Sequence, residues 1–390
     1  MKILHCCLAA FYIDDFSYQE NILPRIHKGL GHEVEILAST ETYIDKVKLG
    51  YTNAGSYTTK EGIPLTRLPY VSWLPSVLAR KLRLYRGIDA VLDRFAPDVV
   101  FLHDCQFLSI QRISHYAQQT GATVYVDSHT DFINSGRSFV SRNILHRVIY
   151  RMCSKVIEPY VKKYFPTLPL RAEFLINVYD VPRRKIELLP FGVDDNRIRQ
   201  SHRAELHDAI REELKIPKEA FVFIAGGKID KRKAIHLLVD RFSRLADSDA
   251  LNGAYFILFG QPTDDLRDQV ALAAKNTFVR YVGWVDANDI HKYLWASDVA
   301  IFPGTHSVLW EEALGLGIPC VFRRWKGIEH VDLGGNCLFL DEVTPLTVDE
   351  LLIELASDQH KVAMMKEVAQ EKGRKFFSYT EIARRAIEEQ

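Results

Sequence analysis

Residues 302–321 read FPGTHSVLWEEALGLGIPCV. An apolar strand stops at Pro303 and Gly304, a polar loop follows, and a helix then opens with two carboxylates. In open parallel sheets, ligands bind beyond the carboxyl ends of the strands, where loop amides and helix N-termini face phosphate groups and a carboxylate takes ribose hydroxyls. The stretch therefore predicts a nucleotide-binding edge, with Glu312 as the candidate ribose carboxylate.

The loop before this helix supplies candidate phosphate ligands. Its backbone amides at a helix start suit phosphate oxygens. They belong to Thr305, His306, Ser307 and Val308. The same pattern is also typical of helix capping, in which Ser307 and Glu311 would pair and Glu311 would be a surface charge beside a functional Glu312. The sequence leaves both interpretations open.

Strand-like apolar runs alternate with helical segments along the chain. The first half carries MKILHCCLA, VEILA, DVVFLH and TVYVDSH, and the second half FVFIAGG, AYFILFG, TFVRYVGWV, DVAIFPG and IPCVFRR. This alternation predicts parallel sheets covered by helices. We therefore expect an α/β protein with two Rossmann-like, doubly wound domains facing across a cleft, 1–195 and 196–375, of which the second carries the predicted nucleotide-binding edge. A helix over 376–390 is expected to cross back to the first domain.

Composition limits the classes of protein to consider. At 390 residues the chain is long enough for two domains, and 47% hydrophobic residues supply their cores. Lys plus Arg and Asp plus Glu both number 50, so no net charge argues for nucleic acid. The six cysteines show neither CxxC spacing nor a Cys/His cluster, which disfavours structural zinc and a disulfide scaffold. The start does not read as a signal peptide, and no apolar run reaches roughly 18 residues, so we expect a cytoplasmic protein.

The strand-like run FVFIAGG ends in a glycine pair. Residues 226–238 read GGKIDKRKAIHLL, in which a basic turn leads into an amphipathic helix. Lys228 and Lys233 are placed to reach a diphosphate, and their ammonium groups neutralise phosphate without a divalent ion. The alternative is a solvated basic turn. The position directly after a buried strand favours the phosphate site.

A third strand end lies at residues 283–285. The backbone of Gly283 and Val285 is placed to read a nucleobase at this edge. Trp284 is placed to stack on that base, although a large aromatic residue at a strand end is also typical of partly buried core.

Polar residues also end two strands of the first half. His103 and Asp104 close one strand, and Asp127 and His129 close the next. His129 is a candidate to hydrogen-bond a sugar or phosphate oxygen. Asp104 or Asp127 is a candidate to orient an acceptor hydroxyl or to act as a base. A purely structural role is the alternative.

Two segments combine basic and apolar residues. Residues 141–164 resemble a basic amphipathic helix, which either lies on anionic lipid or packs its apolar face on the protein. A second basic and apolar patch over residues 73–83 favours the lipid alternative. Peripheral contact with the inner face of the plasma membrane is therefore a hypothesis. The basic residues of the first segment are Arg142, Arg147, Arg151, Lys155, Lys162 and Lys163.

Together these motifs resemble the GT-B glycosyltransferases, and within them the retaining family-4 group that uses nucleotide sugars. MKILH and GHEVEILAS look like the first two strands of that family, LLPFGVD like its interdomain IPNGVD segment, and GGKIDKRKA like its GRLxxxKG motif. YVGWV, YLWASDVAIFPG and EALGLGIPCV follow the order of its donor domain, and FFSYTEIA resembles its returning helix. The resemblance covers most of the chain.

The resemblance implies roles for individual residues. Lys228 and Lys233 would neutralise the donor diphosphate, and Glu312 would bind the ribose. The remaining implied positions are Gly283 and Val285 at the base and His129 near the donor sugar, with His129, Asp104 and Lys233 as the catalytic candidates. The resemblance also implies that no metal or other cofactor is required, and that the anomeric configuration is retained while the leaving phosphate assists the acceptor.

Two departures from the family pattern are visible. The family carries a pair of glutamates with seven residues between them, whereas Gly304 stands eight residues before Glu312 and the loop is shorter. His306 and the amides of residues 305–309 are therefore expected to hold the sugar hydroxyls. The usual glycine pair of the first βα loop is also missing. Tyr18, Gln19, Glu20 and Asn21 stand in that loop instead.

The expected activity is that of a hexosyl- or N-acetylhexosaminyltransferase. It would move a sugar from a UDP- or GDP-sugar to a glycan or lipid-linked acceptor, in assembly of a bacterial surface polysaccharide. Two alternatives stay open. One is a non-hydrolysing sugar-nucleotide epimerase of the same architecture, and the other is a catalytically degenerate domain that binds nucleotide or partners a true transferase.

Overall fold

The structure, a computed structural model, describes residues 1–44, 48–132, 135, 139, 141–194 and 203–388, without the side chain of Arg142. It divides into two compact units, Met1–Pro190 together with Ile382–Gln390, and Phe191–Glu381. The boundary expected between residues 195 and 196 lies outside the described residues. Each unit is an α/β domain built on its own largely parallel sheet.

Strands and helices alternate in both units. The strands are β1 Lys2–Cys7, β2 Glu33–Ser39, β3 Glu41–Tyr43, β4 Leu49–Tyr51, β5 Gly55–Thr58, β6 Pro64–Leu68, β7 Val99–His103, β8 Thr123–Ser128, β9 Val161–Pro166, β10 Val222–Gly226, β11 Tyr255–Phe259, β12 Val279–Gly283, β13 Val299–Phe302, β14 Cys320–Arg323 and β15 Cys337–Leu340. The helices are α1 Gln19–Gly29, α2 Ser76–Leu82, α3 Ile88–Phe95, α4 Ile110–Thr120, α5 Arg151–Ile157, α6 Pro169–Asn177, α7 Arg203–Glu213, α8 Ile235–Asp247, α9 Arg267–Ala273, α10 Ile290–Trp295, α11 Leu309–Gly315, α12 Pro345–Ser357, α13 Gln359–Val368, α14 Arg374–Phe376 and α15 Tyr379–Ala386. A π-helical segment, Ser141–Tyr150, runs directly into α5.

The sheet of the first unit has the order β5-β6-β2-β1-β7-β8-β9. All neighbouring pairs are parallel except β5 and β6. Parallel strands are covered by helices on both faces, so they read as continuous apolar runs and do not alternate. β1 shows this directly, because every residue from Ile3 to Cys7 is buried.

The sheet of the second unit has the order β12-β11-β10-β13-β14-β15, and all its pairs are parallel. Successive side chains of a strand point to opposite faces. Phe223 and Ile224 of β10 accordingly pack into two different apolar clusters. The central strand of this sheet is therefore covered on both faces.

Each sheet has a point at which the chain reverses its direction of growth. In the first unit the strands proceed outward from β1 through β2 and then, on the other side, from β7 to β9. In the second unit the same reversal falls between β10 and β13. Ligands of open α/β sheets bind outside the carboxyl ends of the strands at such a switch point. The topology therefore predicts ligand binding at the edge of β1 with β7 and at the edge of β10 with β13.

The segment predicted as one amphipathic helix consists of a helical stretch followed by a strand. Residues 141–164 do not form a single helix, because a short 3-10 turn ends the helical stretch at Tyr160 and Val161–Pro166 is strand β9. β9 pairs with β8, and the buried Tyr164 and Phe165 belong to the strand. The pairing partner, which lies elsewhere in the sequence, decides this conformation. Across the described ranges, no helix combines the length and the apolar character needed to cross a membrane.

Candidate functional site

Two loops meet at the switch point of the second unit: the β10 loop (residues 227–234) and the β13 loop (residues 303–308). Nζ of Lys233 donates hydrogen bonds to the carbonyl oxygens of Thr305 at 2.7 Å and His306 at 2.6 Å. The amide of Thr305 donates to the carbonyl oxygen of Arg232 at 3.1 Å. The predicted diphosphate lysine is thereby joined to the predicted phosphate loop.

Gly304 is a point of very close approach between these loops. A Cβ atom there would lie 2.3 Å from the carbonyl oxygen of Arg232 and 2.3 Å from the Cα atom of Lys233. Only a residue without a side chain allows two backbones to approach so closely. A larger side chain at this position, such as that of glutamate, would push the two loops apart.

The two candidate phosphate lysines have different surroundings. Lys233 is partly buried, and this burial lowers the pKa of its ammonium group to about 8. Lys228 is exposed, and its side chain has no ion-pair partner in the part of the chain that the structure describes. Lys233 is therefore held in place before any ligand arrives, whereas Lys228 retains the rotational freedom of a solvated side chain.

The buried carboxylate of this edge is Glu311, which has no exposed surface. Its Oε1 atom accepts hydrogen bonds from Nε2 of His306 at 2.8 Å and Nε2 of His330 at 2.9 Å. Although burial opposes the charged form, the two histidines lower the pKa of Glu311 to about 2. The alternative interpretation, in which Glu311 is a surface charge that pairs with Ser307 as a helix cap, is wrong. α11 has no side-chain cap, and its first turn directs Glu311 into the interior.

Glu312, the next residue, is partly exposed at the start of the same helix. Ser307 is also partly exposed, and Val308 is exposed. One glutamate of the pair is therefore accessible to a ligand and the other is not. The accessible one is the residue that the sequence pattern assigns to the ribose.

The turn after β12 lies at the same edge, beyond β11. Gly283 adopts a left-handed conformation with φ of 72°, and its carbonyl oxygen accepts a hydrogen bond from the amide of Gly260 at 2.6 Å. Val285 is buried, whereas Trp284 is 69% exposed. The core interpretation of Trp284 is therefore wrong. β11 lies between β12, which this turn follows, and β10, which is followed by the loop that contains Lys233.

In the first unit, β7 and β8 end side by side and bring two histidines to one aspartate. Nδ1 of His103 lies 2.7 Å from Oδ2 of Asp127, and Nε2 of His129 lies 3.4 Å from Oδ1 of the same carboxylate. The side chains of His103 and Asp127 are fully buried, and that of His129 is 22% exposed. Asp127 therefore links a buried histidine to one that reaches the surface.

This pairing sets the charge of His129. Burial opposes the charged imidazole, yet the carboxylate of Asp127 raises the pKa of His129 to about 9. His129 is therefore a cation at neutral pH. A cationic imidazole is a strong hydrogen-bond donor and has no lone pair to accept a proton. The arrangement suits contact with a sugar hydroxyl or a phosphate oxygen and does not suit a general base.

Asp104 follows β7 in a left-handed conformation with φ of 65°. Its carboxylate accepts hydrogen bonds from the amide of His129 at 3.3 Å, the hydroxyl of Thr130 at 3.3 Å and the side-chain amide of Gln106 at 3.1 Å. Burial raises the pKa of Asp104. A non-glycine residue in this conformation persists only where its surroundings hold it. Asp104 thus holds the backbone that carries His129.

The first turn of α1 brings Glu20 to the same edge. One ligand atom each from Glu20, His103 and His129 lies within 4.8 Å of the others. Both ring nitrogens of His103 are already hydrogen-bonded, one to His5 and one to Asp127. Together with Asp127, these side chains form a hydrogen-bonded and charged cluster at this edge.

Comparison with known proteins matches each of the two edges to a glycosyltransferase family model. The family described as "Glycosyl transferases group 1" matches residues 219–358, which include Lys233, the β13 loop and Glu312. The family described as "Glycosyl transferase 4-like domain" matches residues 26–192, which include Asp104 and His129. The chain is a glycosyltransferase with a 4-like domain followed by a group 1 domain. Its two α/β domains are those of the GT-B fold.

Several known proteins are similar to this glycosyltransferase. Mannosylfructose-phosphate synthase of Agrobacterium fabrum is 24% identical over 254 residues, which cover 62% of this chain and 53% of that protein. The chain thus spans about half the length of this curated relative. The structure of sucrose-phosphate synthase from Thermosynechococcus elongatus matches with a TM-score of 0.66 at 14% identity, over 99% of this chain and 97% of that chain. HepE of Anabaena in complex with UDP-glucose matches with a TM-score of 0.65 at 15% identity, over 100% and 98%.

Sequence reasoning missed three histidines of the glycosyltransferase edges. His330 supports Glu311, and His5 and His27 lie behind His103. The one sequence signal was His5, a polar residue within the apolar strand KILHCC. Its partners come from other elements, so the signal did not indicate what His5 contacts.

Proposed function

We propose that this glycosyltransferase moves a hexosyl or N-acetylhexosaminyl group from a nucleoside diphosphate sugar to a glycan or lipid-linked acceptor. The observation that carries the proposal is the contact of Lys233 with the β13 loop at the switch point of the second unit. An amine beside backbone amides at the carboxyl ends of parallel strands forms an anion site. The complex of HepE with UDP-glucose supports a UDP-sugar as the donor, with a GDP-sugar as the alternative.

The second unit supplies the groups for the nucleotide part of the donor. Lys228 and Lys233 neutralise the diphosphate, so these residues offer charge compensation without a metal or other cofactor. The partly exposed carboxylate of Glu312 takes the ribose hydroxyls. The exposed indole of Trp284 stacks on the base, beside the backbone of residues 283–285.

The sugar end of the donor needs hydrogen-bond partners in place of the family's first glutamate. Nε2 of His306 is hydrogen-bonded to Glu311 and the amide of Thr305 to Arg232, so Nδ1 of His306 and the amides of residues 306–308 are the groups that we assign to the sugar hydroxyls. In the first unit, cationic His129 donates to the sugar or to a phosphate oxygen, and Asp104 holds the backbone at that residue. The proposed catalytic residues are His129 and Asp104 of the first unit and Lys233 of the second unit.

The proposed reaction retains the configuration of the anomeric carbon. The bond from that carbon to the diphosphate oxygen breaks, and the acceptor oxygen forms its bond on the same face of the sugar. The proton of the acceptor hydroxyl goes to the departing phosphate, whose growing negative charge Lys233 stabilises. Since His129 is already protonated at neutral pH, the phosphate is the better proton acceptor in this scheme.

A donor panel tests the proposal. The protein is incubated with UDP-, GDP- and ADP-sugars and a range of glycan and lipid-linked acceptors, and nucleotide release and product are measured. We expect acceptor-dependent release of the nucleoside diphosphate with one donor. Interconversion of donor sugars without an acceptor would instead support a sugar-nucleotide epimerase. Tight nucleotide binding with no turnover would support a degenerate binding partner.

A surface of the first unit supports the expected contact with a membrane. The π-helical segment Ser141–Tyr150 and α5 form one helical stretch over residues 141–157. One side of this stretch packs on the core, and an apolar stripe on the other side faces solvent. Its members at a spacing of four are Ile144, Val148, Met152 and Val156, which are between 38% and 61% exposed. Soluble helices normally bury such a stripe, whereas helices that lie on lipid expose it.

Basic side chains run beside the apolar stripe, at Arg147, Arg151 and Lys155. Asp180 forms ion pairs with Arg151 at 3.0 Å and Lys155 at 2.9 Å. Because there is one carboxylate for three basic side chains, the local net charge remains positive. The hydroxyl of Tyr150 reaches the carbonyl oxygen of Lys81 at 3.3 Å, which places this helix next to the end of α2. The stretch before and within α2 exposes Trp73 and Val77 by 73% and 76%.

We expect the protein to bind the inner face of the plasma membrane through this surface, in assembly of a bacterial surface polysaccharide. Sedimentation with phosphatidylcholine vesicles, with and without phosphatidylglycerol, measures the binding. Ile144→Ser combined with Val148→Ser should abolish the salt-sensitive binding to anionic vesicles. Leu272→Ser, a change at a 67% exposed leucine of the second unit, is the matched control. Vesicle binding that survives the double substitution would contradict the assignment.

A further inference from the structure

A row of hydrogen-bonded histidines crosses the first unit. Nε2 of His27 in α1 lies 2.8 Å from the carbonyl oxygen of Ala383 in α15. Nδ1 of His27 lies 2.9 Å from Nε2 of His5 in β1, and Nδ1 of His5 lies 3.1 Å from Nε2 of His103 in β7. Nδ1 of His103 faces Asp127 at 2.7 Å. None of these four side chains has exposed surface, and we call the three histidines, His27, His5 and His103, the histidine row.

The carbonyl oxygen of Ala383 sets the direction of the hydrogen bonds in the row, because it can only accept. Nε2 of His27 therefore carries a proton. Burial lowers the pKa of His27 to about 4, so this ring is neutral at pH 7 and its Nδ1 accepts from His5. Burial also lowers the pKa of His5 well below its ordinary value, so Nδ1 of His5 accepts from Nε2 of His103.

At His103 the row meets a carboxylate. Nε2 of His103 already bears a proton, which it donates to His5. Burial opposes ionisation of Asp127, yet its histidine neighbours lower its pKa, so Nδ1 of His103 faces a charged oxygen. Two lone pairs at this distance would repel each other, so Nδ1 bears a proton as well. The four hydrogen bonds of the row thus need four protons on three rings, so the row carries one positive charge, next to the carboxylate that also faces His129.

We propose that the histidine row is a positioning device for His129: it holds His103 as a cation and so limits how strongly the carboxylate of Asp127 acts on His129. The proposal rests on the proposed role of His129 as a hydrogen-bond donor to the donor sugar. His5, His27 and His103 do not touch the substrate in this account. They act through Asp127.

The charged groups that face His129 come from four elements. Asp127 approaches from β8, Asp104 from the turn after β7, Glu20 from α1 and Arg171 from α6. Glu20 and the aspartates favour the imidazolium form of His129, and Arg171 opposes it. Of these groups, Asp127 is the one that is hydrogen-bonded to the histidine row. A change in the row therefore alters the effect of Asp127 on the pKa of His129 and leaves the effects of the other groups in place.

His5→Phe is the variant that interrupts the row. Phenylalanine keeps the ring but cannot accept the proton that Nε2 of His103 donates. A buried cation without a partner is unfavourable, so His103 becomes neutral and Asp127 acts on His129 undivided. The pKa of His129 should rise from about 9 by about one unit. The alkaline limb of the pH profile of kcat/KM should move upward by the same interval.

His5→Gln is the conservative rescue. The glutamine side chain carries both an acceptor oxygen and a donor amide, so it can accept from His103 and donate to His27. The titration of His129 should return to the wild-type value. His115→Phe, the same substitution at an exposed histidine of α4, should leave it unchanged.

The measurement is a pH titration of the protein labelled with ¹⁵N-histidine, in which imidazole shifts report the protonation of each ring nitrogen. We expect two protonated nitrogens at His103, and protonated Nε2 with unprotonated Nδ1 at His5 and His27. A neutral His103 in the wild type, or an unmoved His129 in folded His5→Phe, would overturn the inference. If His5→Phe does not fold, the wild-type spectrum and His5→Gln still decide it. Absence of turnover with every donor would refute the proposed function and leave these spectra unaffected, so the two failures are distinguishable.

Discussion

Nε2 of His306 lies 2.8 Å from Oε1 of Glu311, and this contact ties the β13 loop to the helix that follows it. The carbonyl oxygen of the same histidine accepts a hydrogen bond from Lys233. Phe191 stacks on its ring with 6.3 Å between the ring centroids. A fully buried carboxylate thus holds the loop against which the candidate diphosphate lysine is placed.

Glu311→Gln should destabilise the second unit by about 2 kcal/mol, because hydrogen bonds to a charged acceptor contribute about 1.5–3 kcal/mol and an amide replaces the buried carboxylate. Chemical denaturation followed by tryptophan fluorescence measures this, since Trp284, Trp295, Trp310 and Trp325 belong to the second unit. Glu350→Gln, at an exposed glutamate of α12, should change stability by less than about 0.5 kcal/mol. Equal effects of the two substitutions would contradict the role of Glu311.

Acid should destabilise the second unit by protonating Glu311. The pKa of Glu311 is about 2 in the folded protein and 4.5 ordinarily, so its stabilising contribution is complete above pH 4.5 and is lost as pH falls toward 2. The midpoint of denaturation should therefore fall over this interval in the wild type. Glu311→Gln should show a shallower dependence. Parallel curves for the two proteins would rule out Glu311 as the group responsible.

Lys233→Ala should weaken the binding of a nucleoside diphosphate by at least about tenfold, since a partly desolvated charge on the phosphates is removed. Lys231→Ala removes an exposed lysine of the same loop, paired with Asp265 at 3.1 Å, and should have little effect. In the wild type, affinity should fall as pH rises above about 8, because the Lys233 amine loses its proton there. Calorimetry at several pH values checks this, and a flat profile would argue against Lys233 as the ligand.

Gly304→Ala should separate the two loops of the nucleotide edge. The new Cβ would lie 2.3 Å from the backbone of residues 232 and 233, and overpacking of this kind costs about 1–3 kcal/mol. Loss of stability and weaker nucleotide binding should appear together. Gly29→Ala is the control, because a Cβ at that position meets nothing within 4 Å. A fully stable Gly304→Ala protein with normal affinity would show that the loops can move apart without consequence.

Glu312→Ala should weaken the binding of UDP, whereas the free energy of unfolding should change little because the side chain is partly exposed. Loss of one charged hydrogen-bond partner of the ribose corresponds to about tenfold or more in affinity. The informative comparison is with ribose-free pyrophosphate, whose binding should be the same in both proteins. An equal loss for both ligands would place Glu312 at the phosphates and not at the ribose.

The parts of the site that lie close together in the sequence were predictable. Strand ends and the turns after them are local features, so Lys228, Lys233, Asp104 and His129 could be placed at sheet edges from the chain alone. The choice between Glu311 and Glu312 as the buried carboxylate was not predictable. It depends on His330, which comes from another segment, and on the direction in which the first turn of α11 faces.

The sequence by itself determined that this protein is built from alternating strands and helices, because apolar runs and turn residues are local features of the chain. It also determined that polar side chains, which are candidates to bind a ligand, follow the strands. Only the tertiary structure decided which strands are neighbours, and with that the two switch points. It alone assembled the histidine row, whose contacts join His5 to His103 over 98 positions and His27 to Ala383 over 356. Contacts over such distances exist only after the sheet and the last helix have packed.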